Sequence, residues 1–210
     1  MVTLSRKDFP LCLNDWHDSE QLYCEGQMEL LNSPCVSVIG TRKISEVGIR
    51  RARAVTIFLA KSGFCIVSGL AAGVDAVAHK TALDCKAKTI AVIGTPLEKV
   101  YPAINAELRY RIERDGLVLS QFPNGARTFK SNFPLRNRLM AALCQLTVVI
   151  EASATSGTRH QVKTALELGR SVALPISLVE SGYPWVQEAM GSGRTYVIRE
   201  LSDLSSFLVG

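Results

Sequence analysis

Short apolar runs that stop at glycine, serine, proline or a carboxylate alternate along the chain with longer stretches of helical period. Cys35-Val-Ser-Val-Ile39 stops at Gly40, Phe64-Cys-Ile-Val67 at Ser68-Gly69, and Lys88-Thr-Ile-Ala-Val-Ile93 at Gly94. Leu117-Val-Leu119 stops at Ser120, Leu146-Thr-Val-Val-Ile150 at Glu151, and Ser171-Val-Ala-Leu174 at Pro175. Runs this short and this rich in β-branched residues read as strands buried on both faces. Between them the pattern predicts helices over 47–62, 73–84, 105–115, 134–144 and 157–169. On the first of these, Ala54, Ile57 and Phe58 share one face. Gly63, Gly116 and Gly169 each stand between a helix and a strand, where a left-handed C-cap is expected. Strands alternating with helices imply an α/β fold: a mostly parallel sheet, right-handed crossovers, helices on both faces.

Composition narrows the class. The 210 residues are 47% hydrophobic, 20% charged and 7% aromatic, which suits one compact domain and excludes a disordered chain. No apolar run approaches the ~18 residues needed to cross a bilayer. Arg6, Lys7 and Asp8 stand where a signal peptide needs an apolar core, so a cytoplasmic protein without membrane contact is expected. The six cysteines form no C-x-x-C pair and the three histidines sit at no ligand spacing beside them, so no metal is implied. Cys35, Cys65 and Cys144 lie in apolar runs and read as buried free thiols. Trp16 and Trp185 lack basic neighbours and read as packing residues.

Charge adds a partner class. The formal net charge is +5, and it is unevenly spread. Residues 1–30 hold two basic and six acidic side chains, whereas residues 127–170 hold seven basic residues against Glu151 and Glu167. A local surplus of cations favours a polyanion.

In an open parallel sheet, ligands bind beyond the carboxyl ends of the strands, so those ends are candidate sites. Gly40-Thr41-Arg42-Lys43 follows the first strand, Ser68-Gly69-Leu-Ala-Ala-Gly73-Val-Asp75 the second, and Glu151-Ala-Ser-Ala-Thr-Ser156-Gly157-Thr158 the fifth. Each pairs small residues with a helix start, where backbone N–H groups approach an anion closely and the helix dipole favours it. None matches G-x-G-x-x-G or G-x-x-x-x-G-K-[ST], so neither dinucleotide nor Walker-type binding follows. A fourth element, Arg127-Thr-Phe129-Lys130-Ser-Asn-Phe133-Pro134-Leu-Arg136-Asn-Arg138, interleaves cations with aromatic rings, which suits phosphates and stacked bases of a single strand. Pro134 fits a first helical turn, from which Arg136 and Arg138 would project. Arg42, the Ser68-Gly69 turn, Arg138 and the Ser156-Gly157 turn are expected to build one continuous pocket. Asp75 and His79, at i and i+4, are expected to pair and orient the glycine turn. Glu151 is expected to bond backbone donors or to offset Arg138.

These segments together resemble the DNA-processing protein A family (DprA, also called Smf). The carrying residues are Val38-Ile-Gly-Thr-Arg42, Ser68-Gly-Leu-Ala-Ala-Gly-Val-Asp75 with Ala78-His79, Tyr101-Pro102 and Ser120-Gln-Phe-Pro123. They continue in Asn132-Phe-Pro-Leu-Arg-Asn-Arg138, Glu151-Ala152, Ser156-Gly157-Thr158 and Ala165-Leu-Glu-Leu-Gly-Arg170. The resemblance implies an extended Rossmann-like fold over 35–210, with residues 1–34 as an N-terminal extension packed on it. It implies single-stranded DNA binding without catalysis or cofactor, usually as a homodimer, and help in loading the RecA recombinase during natural transformation. Arg42, Lys130, Phe133, Arg136 and Arg138 would contact the strand, and the Ser68-Gly69 and Ser156-Gly157-Thr158 turns would supply backbone donors.

The chain departs from the family where Leu174-Pro175-Ile176 replaces valine-proline-glycine and where Thr158-Arg159-His160-Gln161 replaces small or apolar residues. It also reads as close to a bare core. The main rivals are a nucleotide-binding sensor and the "lonely guy" type of nucleotide phosphoribohydrolase. The hydrolase signature needs a glutamate where Gln161 stands, and an amide can neither take a proton nor stabilise an oxocarbenium ion as an anion does.

Overall fold

The computed structural model describes residues 1–14 and 16–205. Its six central strands are β3 (Cys35–Ile39), β4 (Cys65–Ser68), β5 (Thr89–Ile93), β6 (Leu117–Ser120), β7 (Leu146–Val149) and β8 (Ser171–Pro175). They coincide with the apolar runs to within a residue or so. The main helices are α1 (Glu46–Lys61), α2 (Val74–Asp84), α3 (Ala106–Asp115), α4 (Asn132–Leu143) and α5 (Thr158–Glu167), each close to its expected span. Pro134 falls in the first turn of α4.

Three strands escaped the reading of the apolar pattern: β1 (Val2–Ser5), β2 (Gln21–Gly26) and β9 (Thr195–Ile198). So did the short helices α6 (Ile176–Val179) and α7 (Pro184–Met190). β1 and β9 are the two edges of the sheet, whose order is β1-β2-β6-β5-β4-β3-β7-β8-β9. An edge strand is half solvated and shows little apolar signal. β2 runs antiparallel to both β1 and β6, and the other pairings are parallel. Residues 1–34 thus contribute two strands to the same sheet as the core.

Alternation along each strand divides the interior. Cys35 and Ile39 pack with Cys65, Val67 and Leu139 toward α4 and α5, while Val36 and Val38 pack with Ile66, Val55 and Ala78 toward α1 and α2. That two-sided burial is what an uninterrupted apolar strand encodes. Across β3 and β7 the buried Ser37 hydroxyl donates to Thr147 Oγ1 at 2.8 Å, so the one polar pair of facing residues satisfies itself. Cys24, Cys35, Cys65 and Cys144 are buried free thiols, as is consistent with their apolar runs. Trp16 is buried against the same core and meets the Phe9 ring at 6.0 Å.

Gly63 and Gly169 take positive φ of 87° and 68° after α1 and α5. Gly116 does not: its φ is −149°. Glycine is required there by crowding, since a Cβ would lie 2.6 Å from the Thr89 carbonyl oxygen. The apolar residues toward the C-terminus (Tyr196-Val-Ile198, Leu201, Leu204 and Phe207-Leu-Val209), expected from the sequence to have surface left to cover, are mixed in their burial. Leu204 is buried, Tyr196 and Leu201 are exposed, and Phe207-Leu-Val209 lies outside the described residues. Among the described residues, no helix is long and apolar enough to cross a membrane.

Candidate nucleic-acid interface

β3 has β4 on one side and β7 on the other, and the crossovers from these strands pass to opposite faces of the sheet. The loops after such strands diverge and leave a crevice. Here the crevice is bordered by residues 40–45, 69–73, 94–95 and 151–157.

The loop after β4 is fastened from several sides. Asp75 accepts from the Gly69 and Ala71 N–H groups at 3.1 and 3.3 Å. Asn105 donates to the Leu70 and Ala71 carbonyls at 2.9 and 3.1 Å. Arg136 donates to the carbonyls of Gly69 and of Val92, the latter at 2.6 Å. Val74 N–H donates to the Thr41 carbonyl at 3.1 Å, which joins this loop to the one after β3. Gly73 makes that junction possible. Its φ of 81° and ψ of −127° suit glycine, and a Cβ there would strike the backbone of Thr41 and Arg42.

Glu151 performs the matching task on the other side. Its Oε2 accepts from Ser45 N–H and Oγ at 3.2 and 2.9 Å, while Ser45 Oγ caps α1 by accepting from Gly48 N–H at 3.0 Å. The missing Cβ of Gly48 leaves room for that carboxylate. Glu151 therefore bonds a backbone donor, and it does not offset Arg138.

Two adjoining cavities open in the crevice. One, of about 120 Å³, lies among Gly69, Gly94, Thr95, Tyr101 and Phe133. The other, of about 170 Å³, lies among Asp75, Gly157, Thr158 and Gln161. Arg42, Ala71, Phe133 and Arg136 line both. Arg42 is exposed at the mouth, and the partly buried Phe133 ring packs over Gly94 and meets the half-exposed Tyr101 ring at 5.5 Å. Of the members expected in one continuous pocket, Arg42, Gly69 and Gly157 line these cavities, whereas Arg138, Ser68 and Ser156 line neither.

Several expected members are placed otherwise. Arg136 is only 6% exposed, and its guanidinium is spent on two carbonyls rather than projecting from α4. Burial, opposed by the Asp75 charge and reinforced by that of Arg42, brings its pKa down to about 10. It remains a cation at neutral pH, but an internal one. Arg138 points away from the cavities and pairs with Asp18 at 2.6 Å. The Gly69 N–H turns inward to Asp75, and Ser68 Oγ donates to the Val38 carbonyl, so that turn offers no donor from either group. Thr158 N–H donates to Ser156 Oγ at 3.2 Å, so this backbone donor is also taken. Asp75 and His79 do not pair. Asp75 holds the loop after β4, its pKa raised by burial against the pull of Arg136. His79 Nδ1 instead meets Thr89 Oγ1 at 2.8 Å, and burial lowers the ring pKa to about 3.

Lys43 and Lys130 are exposed on neighbouring loops without lining either cavity. Just before α4, the Arg127 guanidinium lies 5.6 Å from the centre of the exposed Phe129 ring. Tyr101, Gly94 and Thr95 were missed as site residues. The strand-end rule applied to β5 finds the latter two, but Tyr101 reaches the cavity only through the fold of its loop.

A mostly parallel sheet, with a crevice at its switch point lined by a cation and an aromatic pair, defines a protein of Rossmann-like fold. The sequence model of the family described as DNA recombination-mediator protein A matches residues 1–206, and the chain belongs to that family. It is 43% identical over 175 residues to Protein Smf of Synechocystis, an alignment covering 81% of this chain and 42% of that protein. Its fold is similar to the X-ray structure of DNA processing protein A from Streptococcus pneumoniae, with a TM-score of 0.88 and 34% identity over 98% of this chain and 73% of that one. It is also similar to DNA processing protein A from Helicobacter pylori, whose structure is described as showing a unique single-stranded DNA binding mode. There the TM-score is 0.87 and the identity 28%, over 99% of this chain and 95% of that one. The chain spans 42–61% of the length of the first curated relatives it matches.

Proposed function

We propose that this chain binds single-stranded DNA along the carboxyl edge of its sheet, more tightly than duplex, as a non-catalytic recombination mediator. The carrying observation is the exposed Arg42 beside the Phe133–Tyr101 ring pair at the mouth of the two cavities. A cation there takes a phosphate while a ring takes an unstacked base. The family description and the Helicobacter relative support the same reading.

Two observations support binding without catalysis. The crevice carboxylates, Asp75 and Glu151, are engaged by N–H and O–H donors of the chain itself. The position where a phosphoribohydrolase needs a carboxylate is the buried amide Gln161. The proposal extends to a cytoplasmic protein that helps load a RecA-type recombinase. Recombinase filament assembly on protein-coated single strands tests that step, and no acceleration by the purified chain refutes it.

Binding is tested by titration at several salt concentrations. With Arg42, Lys43 and Lys130 as the exposed cations, log K should fall against log salt with a slope of about −2, at about −0.7 per phosphate neutralised. Arg42→Ala should flatten that slope. Phe133→Leu keeps the packing over Gly94 but removes the ring, so it should weaken single-strand binding by about 1 kcal/mol or more with the slope nearly unchanged. Duplex affinity should not respond, because paired bases are already stacked. Equal affinity for duplex and single strand, untouched by Phe133→Leu, would leave only a non-specific basic surface and favour the nucleotide-sensor reading.

We also propose a homodimer, on the family resemblance and on the exposed Tyr196 of edge strand β9 and Leu201 in the turn that follows it. Light scattering should then give about twice the 22.9 kDa chain mass. A monomer at tens of micromolar would refute it.

A further inference from the structure

We propose that the bound single strand runs on from the crevice into the groove between α5 and α7, where Arg159 and Lys163 take its phosphates and Trp185 stacks one of its bases. This rests on the single-strand reading above and adds a second stretch of binding surface outside the crevice. The groove is a cavity of about 640 Å³, larger than either cavity of the crevice. Leu166 of α5 and Trp185 and Ala189 of α7 give it apolar walls, and Arg159 and Lys163 stand exposed on its α5 side. His160 lines both this groove and the crevice cavity that holds Arg42, so the two spaces meet at the first turn of α5.

Charge says which occupant the groove suits. Arg159 and Lys163 are four residues apart on one face of α5, about 6 Å along the axis. The Arg159 side chain has no hydrogen-bond or ion-pair partner among the described residues. Lys163 lies 4.0 Å from Glu167 with both side chains more than half exposed, and so exposed a pair is weak enough to yield to a phosphate. Arg159 also stands in the first turn of α5, which holds no acidic residue and where the helix dipole opposes a cation. A placement that costs the free fold becomes favourable once an anion lies over it. Arg159 and His160 belong to the segment in which the chain departs from its family's pattern, so this surface is a feature of the chain itself. Glu167 and Glu188 also line the groove, which limits the stretch suited to a polyanion to the Arg159 and Lys163 turns.

Trp185 has no basic neighbour along the chain, and the fold supplies two across the groove. The side chain is only partly buried, and its indole N–H has no acceptor among the described residues. A base against the ring and a strand oxygen at the N–H would use both. An aromatic face beside two cations holds a single strand without regard to its sequence.

The experiment titrates oligo-dT of increasing length against the full chain and reads both affinity and tryptophan emission. The shortest probes that bind fill the crevice alone. Longer probes should gain affinity and quench Trp185, one of two tryptophans in the chain. Trp16→Phe, at a buried core position, leaves Trp185 as the sole emitter and should show the same quenching. In the double variant Arg159→Ala/Lys163→Ala, the gain with length should shrink to the statistical factor from extra binding registers, while the shortest probes bind as they do to wild type. For the long probes its salt slope should be flatter by about 1.4, at about 0.7 per phosphate. Trp185→Leu should weaken the long probes about fivefold or more and leave the slope unchanged. Wild-type emission that no probe length quenches overturns the proposal, and so does a length dependence unchanged in the double variant. Emission that shifts on dilution of the protein without DNA overturns it too, since a second copy then covers the groove. Failure of the shortest probes to bind better than duplex overturns the broader reading as well, so the two failures are distinct.

Discussion

Arg136→Ala should destabilise the protein by about 3–5 kcal/mol, whereas Arg138→Ala, two residues on, should cost no more than about 1 kcal/mol. The two arginines look equivalent in sequence. Arg136, however, joins α4 to the ends of β4 and β5 through the Gly69 and Val92 carbonyls. Its removal leaves both carbonyls unpaired and deprives the buried Asp75 of the nearby cation that opposes its desolvation. Arg138 pairs with Asp18 at the surface, with its own side chain 41% exposed, where solvent screens the attraction. Urea denaturation of both variants measures the difference. A shift of the Arg136→Ala midpoint as small as that of Arg138→Ala would refute the bracing role. Asp75→Asn in the Arg136→Ala background should recover part of the loss, because the remaining group is then neutral. Single-strand affinity of Arg136→Ala should fall as well, through disorder of the loop after β4 rather than through a lost phosphate contact. Its salt slope should therefore stay near the wild-type value.

Acid should destabilise the native state through His79, beginning below about pH 6.5 and reaching about 3 kcal/mol near pH 4. The ring is fully buried, and Thr89 Oγ1 donates onward to the Ile66 carbonyl at 2.9 Å, so His79 Nδ1 carries the proton it gives to Thr89. Burial first, and the Arg136 charge in addition, lower the folded-state pKa from 6.5 to about 3, with the Ser68 carbonyl working against them. Between those two values the unfolded chain holds a proton that the folded chain refuses. Stability is thus fully present above pH 6.5 and is lost as pH falls toward 3. Asp75, whose pKa is raised, works in the opposite sense at the acid end and softens the fall. The exposed carboxylates Asp8, Asp115 and Asp203, whose pKa values are lowered from 3.8, contribute only at lower pH. His79→Gln should flatten stability between pH 6.5 and 4, as read by urea midpoints across that range. A wild-type midpoint that stays constant there would show that the ring is not held neutral by burial.

Periodicity alone was enough for the central sheet and its five long helices, because a strand buried on both faces and a helix buried on one leave different and local apolar spacings. The carboxyl ends of those strands also put Arg42 and the turns at Ser68-Gly69 and Ser156-Gly157 at one edge of the sheet, since a parallel sheet fixes where its loops emerge. The ordered motifs from Val38 to Arg170 pointed to the family. Edge strand β1, Val2-Thr-Leu4-Ser, escaped because a half-solvated strand needs no apolar run. The fate of each charge was decided only by the tertiary structure. Asp18 neutralises Arg138 from 120 residues away, and Arg136 reaches the Gly69 carbonyl across 67. His79 passes over its helical neighbour Asp75 for Thr89 on the adjacent strand. An apolar pattern repeats within a few residues and can be read along the chain. A polar side chain is committed to whichever buried group most needs a partner, and folding brings that group from anywhere in the sequence.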